Sequence, residues 1–171
     1  MRKIPDKKIP RMYSTPMNAA LAFLAHKART VREMETHLDE QYGEYEVQQV
    51  VERLRELNYL NDEAYAAEFI RTRLNTKPVS RNKLRIQLAQ HLLPNDVIEE
   101  AVSAISDGRE RENASAMAAK LHAQLIGRSP DETRKRLYQR LISRGFSHED
   151  TAWATDAAIN DAGTIQKEPY A

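Results

Sequence analysis

The chain contains TVREMETHL at residues 30–38, SRNKLRIQL at residues 80–88 and SPDETRKRLYQRL at residues 129–141. Each segment begins with Ser or Thr, which cap a helix by accepting a hydrogen bond from a free backbone N–H. In each segment two apolar residues then follow four positions apart, so that they share one helix face. The segments start about 50 residues apart, and this period indicates three copies of one helical unit.

The composition favours an all-α fold class, because good helix formers dominate while Gly (5) and Pro (7) are few. The sequence predicts an elongated, curved array of three tandem three-helix repeats, at residues 17–59, 60–106 and 107–162. A flexible basic arm is expected at residues 1–16 and a disordered tail at 163–171. A single compact bundle with a coincidental spacing is the alternative.

Local signals predict where the helices begin and end. The pair Thr30 and Glu33 predicts a capping box, in which the hydroxyl and the carboxylate each bind a free backbone N–H. The first helix is expected over residues 17–28. A break is expected at Asp107-Gly108 before the seventh helix, and Gly127 is expected to end that helix.

Several function classes lack the residues that they require. Cysteine is absent, which excludes disulfides, thiolate metal sites and cysteine nucleophiles. His148-Glu149 begins like a zinc-protease motif, but Ala152 occupies the position of the second histidine. We therefore expect no enzyme, no metal and no cofactor. No apolar run approaches the ~18 residues of a membrane span, so a cytoplasmic protein without a membrane partner is expected. We also expect a monomer.

Positive charge is concentrated in one acid-free run. The net charge is only +1, but residues 33–63 are strongly acidic and no acid occurs between Arg71 and Asn95. Because ion pairs cannot form within this run, we expect it to contact DNA phosphate or an acidic protein surface. The alternative is an ordinary solvated helix face. The basic residues of the run are Arg71, Arg73, Lys77, Arg81, Lys83 and Arg85.

A second basic cluster follows the third cap. Its members at 136, 140 and 144 are four residues apart, so they share one helix face beside the apolar stripe. This arrangement predicts a helix that packs on its neighbours and presents a basic edge to nucleoprotein. The cluster consists of Arg134, Lys135, Arg136, Arg140 and Arg144.

Aromatic side chains offer a further candidate contact. Tyr59, Tyr65 and Phe69 can stack on bases, as aromatic residues do in proteins that bind single strands. Because Tyr65 and Phe69 lie four apart on an apolar stripe, packing in the core is the favoured interpretation. Trp153 is also expected in the core, since alanines surround it.

The stretch LNYLNDEAYA at residues 57–66 runs into FIRTR at residues 69–73. Together they resemble the signature of the RecX family, whose members regulate the RecA recombinase. The family pattern is a Gly-Tyr-Leu-Asp-Asp-like turn, followed by an aromatic-Ala helix that ends in an Arg-rich stretch. The likeness extends roughly over residues 18–160 and is weakest in the third unit.

Two departures from the family pattern lie in connections. Asn58 replaces the usual Gly before Tyr59, and Thr76-Lys77-Pro78 replaces a Lys-Gly-Pro-like loop. Neither departure affects the expected fold. The loss of the glycine changes the stiffness of a basic loop that is a candidate partner contact.

The resemblance implies a non-enzymatic negative regulator built from three tandem three-helix units. Such a protein binds along the groove of the RecA filament on single-stranded DNA, limits filament growth and damps RecA activity in recombination, DNA repair and the SOS response. Many family members also bind DNA directly. Two other hypotheses remain from the residues alone: a helix-turn-helix DNA-binding regulator, and a protein scaffold built on helical repeats.

Overall fold

The structure, a computed structural model, describes residues 15–165, with side chains as far as residue 160. Within this range the chain forms nine helices and no strand, which confirms the all-α fold class. The expected arm at 1–16 and tail at 163–171 lie largely outside the described residues. The helices are α1 (Pro16–Leu24), α2 (Val31–Asp39), α3 (Glu44–Glu56), α4 (Asp62–Thr76), α5 (Arg81–Ala89), α6 (Asn95–Ser103), α7 (Asp107–His122), α8 (Pro130–Ile142) and α9 (His148–Ile165).

The helices associate in consecutive groups of three. Helices α1–α3 contact one another as unit 1, α4–α6 as unit 2 and α7–α9 as unit 3. Each unit encloses its own hydrophobic core, so the alternative of one compact bundle with a shared core is wrong. The tandem three-helix array is confirmed. The second helix of each unit supplies two fully buried side chains to that core: Met34 and Leu38, Leu84 and Leu88, Leu137 and Leu141.

The three predicted caps are confirmed. Thr30 Oγ1 accepts a hydrogen bond from the backbone N–H of Glu33 at 3.1 Å, and the Glu33 carboxylate accepts the Thr30 N–H at 3.4 Å. Ser80 and Ser129 cap α5 and α8 in the same way, at 3.1 and 3.3 Å. Because these caps satisfy orphan donors at the helix starts, they fix where the second helix of each unit begins.

Other helix boundaries differ from those expected. Helix α1 ends at Leu24, and the linker after it turns back so that the Arg29 guanidinium lies 3.7 Å from the ring centroid of Phe23. Helix α7 already begins at Asp107, because Ser106 caps it by accepting the Arg109 N–H at 3.2 Å.

The end of α7 and the end of α9 also differ from expectation. Helix α7 ends at His122, and Gly127, with φ of 88°, lies in the turns that follow rather than closing the helix. Helix α9 continues to Ile165, so residues 163–165 are helical. Its fully buried positions, Thr151, Ala154 and Thr155, share one helix face, and the helix packs against both α7 and α8.

The expectation that Trp153 lies in the core is wrong, because its side chain is 47% exposed. The buried face of α9 is formed by Thr151, Ala154 and Thr155, and position 153 lies on the opposite side of the helix. The indole ring instead lies beside α7, with the Arg111 guanidinium 5.5 Å from the ring centroid.

Candidate functional site

A basic cleft of about 220 Å³ lies at the junction between units 2 and 3. One wall is the connection from α4 to α5 together with the first turns of α5, and the other is the chain just after α8. Three of the lining side chains are basic and none is acidic, so the cleft is suited to an anion. We call it the 2–3 cleft, and its lining residues are Lys77, Pro78, Val79, Ser80, Lys83, Gln87, Met117, Ser143, Arg144 and Phe146.

Ser80 joins the two walls of the 2–3 cleft. Its side chain is buried, and its hydroxyl oxygen accepts the Lys83 backbone N–H at 3.1 Å while the hydroxyl donates to the Arg144 carbonyl at 2.7 Å. A helix cap therefore also binds the next unit. As a result the backbones that carry Lys83 and Arg144 are held next to each other.

Gly145 permits this close approach. Its φ is 87°, in the left-handed region that glycine adopts readily. A Cβ at this position would lie 2.9 Å from the Ser80 hydroxyl oxygen and 3.1 Å from the Asn82 amide nitrogen. A side chain at position 145 would therefore force the two walls apart.

A buried carboxylate makes the second link between these units. Glu110 of α7 is 6% exposed, and both of its carboxylate oxygens accept the Arg81 backbone N–H at 3.1 Å. Burial raises the pKa of Glu110, against the smaller lowering effect of this hydrogen bond. The Arg81 guanidinium donates to the Asp107 carboxylate at 2.8 Å and to the Ile105 carbonyl, so Arg81 is held within the junction.

The junction between units 1 and 2 repeats both links. The Thr30 hydroxyl donates to the His91 carbonyl at 2.7 Å, as Ser80 does to Arg144. The Val31 backbone N–H donates to the buried Asp62 carboxylate at 2.9 Å, as that of Arg81 does to Glu110. Burial also raises the pKa of Asp62. The start of the second helix of one unit thus docks on the next unit along the chain, as a tandem array requires.

The third cap differs from the first two. Ser129 is exposed, and no described unit follows unit 3. Pro130 follows it directly and has no backbone N–H, the donor that Val31 and Arg81 supply to a buried carboxylate. The docking arrangement is therefore present at two junctions in the described part of the chain.

Several of the predicted site residues form ion pairs with carboxylates outside the acid-free run. Arg71 binds Glu68, which immediately precedes the run, and Arg85 binds Glu99 from α6. These are exposed pairs of small energetic value, but they neutralise the local charge. The pairs are Arg71–Glu68 at 2.6 Å, Arg81–Asp107 at 2.8 Å, Arg85–Glu99 at 2.7 Å, Arg136–Glu132 at 2.9 Å and Arg134–Asp156.

The remaining predicted residues have no ion pair with a described carboxylate. Lys77, Lys83 and Arg144 meet in the 2–3 cleft, where one Arg144 nitrogen donates to the Arg140 carbonyl at 2.9 Å. This brings together residues from both basic clusters of the sequence. The other predicted residues without such an ion pair lie outside the cleft. They are Arg73, whose guanidinium lies 4.9 Å from the Phe69 ring centroid, Lys135 and Arg140.

Residues 15–165 show neither a metal site nor a membrane-spanning helix. No group of three or more His, Asp or Glu side chains is arranged to hold a metal ion in this range. None of the helices in the same range is both long enough and apolar enough to cross a membrane.

Comparison with known proteins links the chain to one family. The family models described as "RecX, first three-helix domain" and "RecX, second three-helix domain" match residues 17–54 and 61–102. Similarity of fold extends to the crystal structure of RecX from Lactobacillus salivarius, with a TM-score of 0.78 at 24% identity. That match covers 84% of this chain and 94% of the other.

Curated relatives named Regulatory protein RecX extend the match. The protein from Prosthecochloris aestuarii is 30% identical over 146 residues, which is 85% of this chain and 94% of the relative. The protein from Geobacillus thermodenitrificans is 32% identical over 131 residues, but the match covers 76% of this chain and 49% of that protein. For a Listeria welshimeri relative the covered share is 60%, so the chain spans half to three-fifths of these two longer proteins. The chain belongs to the RecX family of regulatory proteins.

Proposed function

We propose that the chain is a negative regulator of RecA that binds the RecA–single-stranded DNA filament and limits its growth and activity. Its action is non-enzymatic, in the cytoplasm, and bears on recombination, DNA repair and the SOS response. The repeats at residues 17–59, 60–106 and 107–162 act as successive contact modules. Family membership supports a regulatory role, and the family's link to RecA supplies the partner.

The 2–3 cleft is the observation that carries the proposal. It gathers Lys77, Lys83 and Arg144 without an acidic side chain in its lining, between two units that hydrogen bonds hold in register. Cations gathered in this way suit the regularly spaced phosphates of a nucleic-acid strand. An array with repeated junctions also matches a partner that repeats along its length.

The test is co-sedimentation with RecA filaments assembled on single-stranded DNA with a slowly hydrolysed ATP analogue. We expect the chain to pellet with filaments at low salt and to be released as salt rises, because counterions compete for the phosphates. RecA without DNA and DNA without RecA are the controls. A chain that stays in the supernatant with filaments at low salt contradicts the proposal, and preferential binding to one duplex sequence without RecA favours the helix-turn-helix alternative.

A further inference from the structure

A second cleft, of about 420 Å³, lies at the junction between units 1 and 2. We call it the 1–2 cleft. Its walls are the linker from Lys27 to Arg29, the turn at Asn58 and Tyr59, and one face of α4 that includes Tyr65 and Phe69. Lys27 and Lys77 are 50 residues apart and lie in the equivalent linkers of units 1 and 2, so each cleft includes the connection between the first and second helix of its unit.

Tyr59 presents an aromatic ring at the rim of the 1–2 cleft. Its side chain is 60% exposed, whereas Leu60 next to it is buried in the core of unit 1. The Tyr59 N–H donates to the Leu54 carbonyl at 2.8 Å, and Asn58 adopts a left-handed φ of 58° in the same turn. The backbone that carries the ring is therefore fixed, while the ring itself packs into no core.

Tyr65 and Phe69 form the aromatic floor of the 1–2 cleft. Their ring centroids are 6.4 Å apart with an interplanar angle of 16°, and both rings pack against the core of unit 2. The expectation that these two side chains pack in the core is thus confirmed. Tyr59 differs from them because its side chain is exposed.

The linker wall of the 1–2 cleft is cationic, since Lys27 and Arg29 both line it. Lys27 is exposed, and the Nε atom of Arg29 is buried without a hydrogen-bond partner among the described residues. The one acidic lining residue, Glu68, is engaged by the Arg71 guanidinium at 2.6 and 2.9 Å. The lining of the cleft thus combines exposed aromatic surface with positive charge that no described carboxylate pairs, and this combination binds a base and its phosphate.

We propose that the 1–2 cleft binds one unpaired nucleotide of a single strand, with its base on Tyr59 and its phosphate towards Lys27. The 2–3 cleft takes a phosphate further along the same strand. A duplex does not offer this contact, because its base faces are stacked on one another. The inference rests on the proposed function and adds to it a direct contact with an unpaired base and the residue that distinguishes single strands from duplexes.

The experiment measures binding of the full chain to fluorescent oligonucleotides in the absence of RecA. One oligonucleotide is oligo(dT), and the other has the same length and charge but abasic sites. We expect Tyr59→Ala to weaken oligo(dT) binding roughly tenfold, since stacking of one base accounts for about that factor. The variant should bind the abasic strand as the wild type does, and Tyr59→Phe should keep the wild-type preference for bases.

Tyr45→Ala is the matched control, because Tyr45 is a 71%-exposed tyrosine of α3 that lines neither cleft. It should leave both affinities unchanged. Equal binding of oligo(dT) by wild type and Tyr59→Ala overturns the inference, and so does an equal loss on the abasic strand. If Tyr59→Ala loses filament binding but keeps wild-type DNA binding, the cleft is assigned to a protein partner, and the inference is again overturned. Base-dependent binding through Tyr59 without co-sedimentation on filaments supports the inference while contradicting the proposed function.

Discussion

The triple variant Lys77→Gln/Lys83→Gln/Arg144→Gln is expected to bind single-stranded DNA about a hundredfold more weakly than the wild type at ~0.1 M salt. On single strands each phosphate contact contributes about −0.7 to the slope of the logarithm of affinity against the logarithm of salt concentration. Three contacts thus change the affinity by about two log units for each tenfold change in salt. The wild type should show a slope of about −2 to −4, and the slope of the variant should lie closer to zero by about 2.

A matched variant separates the 2–3 cleft from net charge. Arg71→Gln/Arg85→Gln/Arg136→Gln removes the same number of positive charges, but these guanidiniums are paired with Glu68, Glu99 and Glu132. We expect this control to lose less than about fivefold, since their charge is already locally neutralised. Fluorescence anisotropy across a salt series measures both variants. Equal losses in the two variants would assign DNA binding to overall charge rather than to the 2–3 cleft.

Glu110→Ala is expected to lower the free energy of unfolding by about 1–3 kcal/mol, because it leaves the Arg81 N–H buried without its acceptor. Glu110→Gln keeps an acceptor oxygen and removes the charge that is costly to bury. At neutral pH it should therefore be at least as stable as the wild type. Urea unfolding followed by circular dichroism measures the order, and Glu112→Ala, an exposed position of the same helix, is the control.

The pH dependence of stability tests the role of Glu110 independently. Because burial raises the pKa of Glu110, the folded state binds its proton more tightly than the unfolded chain does. The stabilisation from this group is fully present below the unfolded pKa of about 4.3 and is lost as pH rises through the folded value. Glu110→Gln should remove this contribution to the pH dependence of the unfolding free energy. A wild type whose stability rises more steeply with pH across this range than that of Glu110→Gln would show that Glu110 is not a costly buried charge.

Local signals in the sequence are sufficient to predict the second helix of each unit. A hydroxyl residue at 30, 80 and 129 and two apolar residues at helical spacing determine where that helix begins and which face it buries, and the structure confirms both. These features depend on neighbours within one or two helical turns, so they can be read from a short window of sequence.

The 2–3 cleft depends on contacts that no short window contains. Ser80 and Arg144 are 64 positions apart, and their hydrogen bond forms only after two units have docked. The same holds for Arg85 and Glu99, whose pairing requires α5 to pack beside α6. The acid-free run therefore indicates where basic residues are concentrated in the sequence, but not which of them remain without a carboxylate partner in the fold. The 50-residue spacing of Thr30 and Ser80, together with Gly145 at the contact, is the sequence signal from which this junction could be predicted.

We propose, in short, that a tandem helical array restrains RecA on single-stranded DNA without catalysing a reaction itself. ATP hydrolysis by RecA on a long single strand, titrated with the full chain, tests it most directly. We predict that hydrolysis slows at fewer than one chain per RecA monomer, because arresting filament growth affects many subunits at once. An unchanged rate even at several chains per RecA monomer, with the chain folded and helical, would contradict the account.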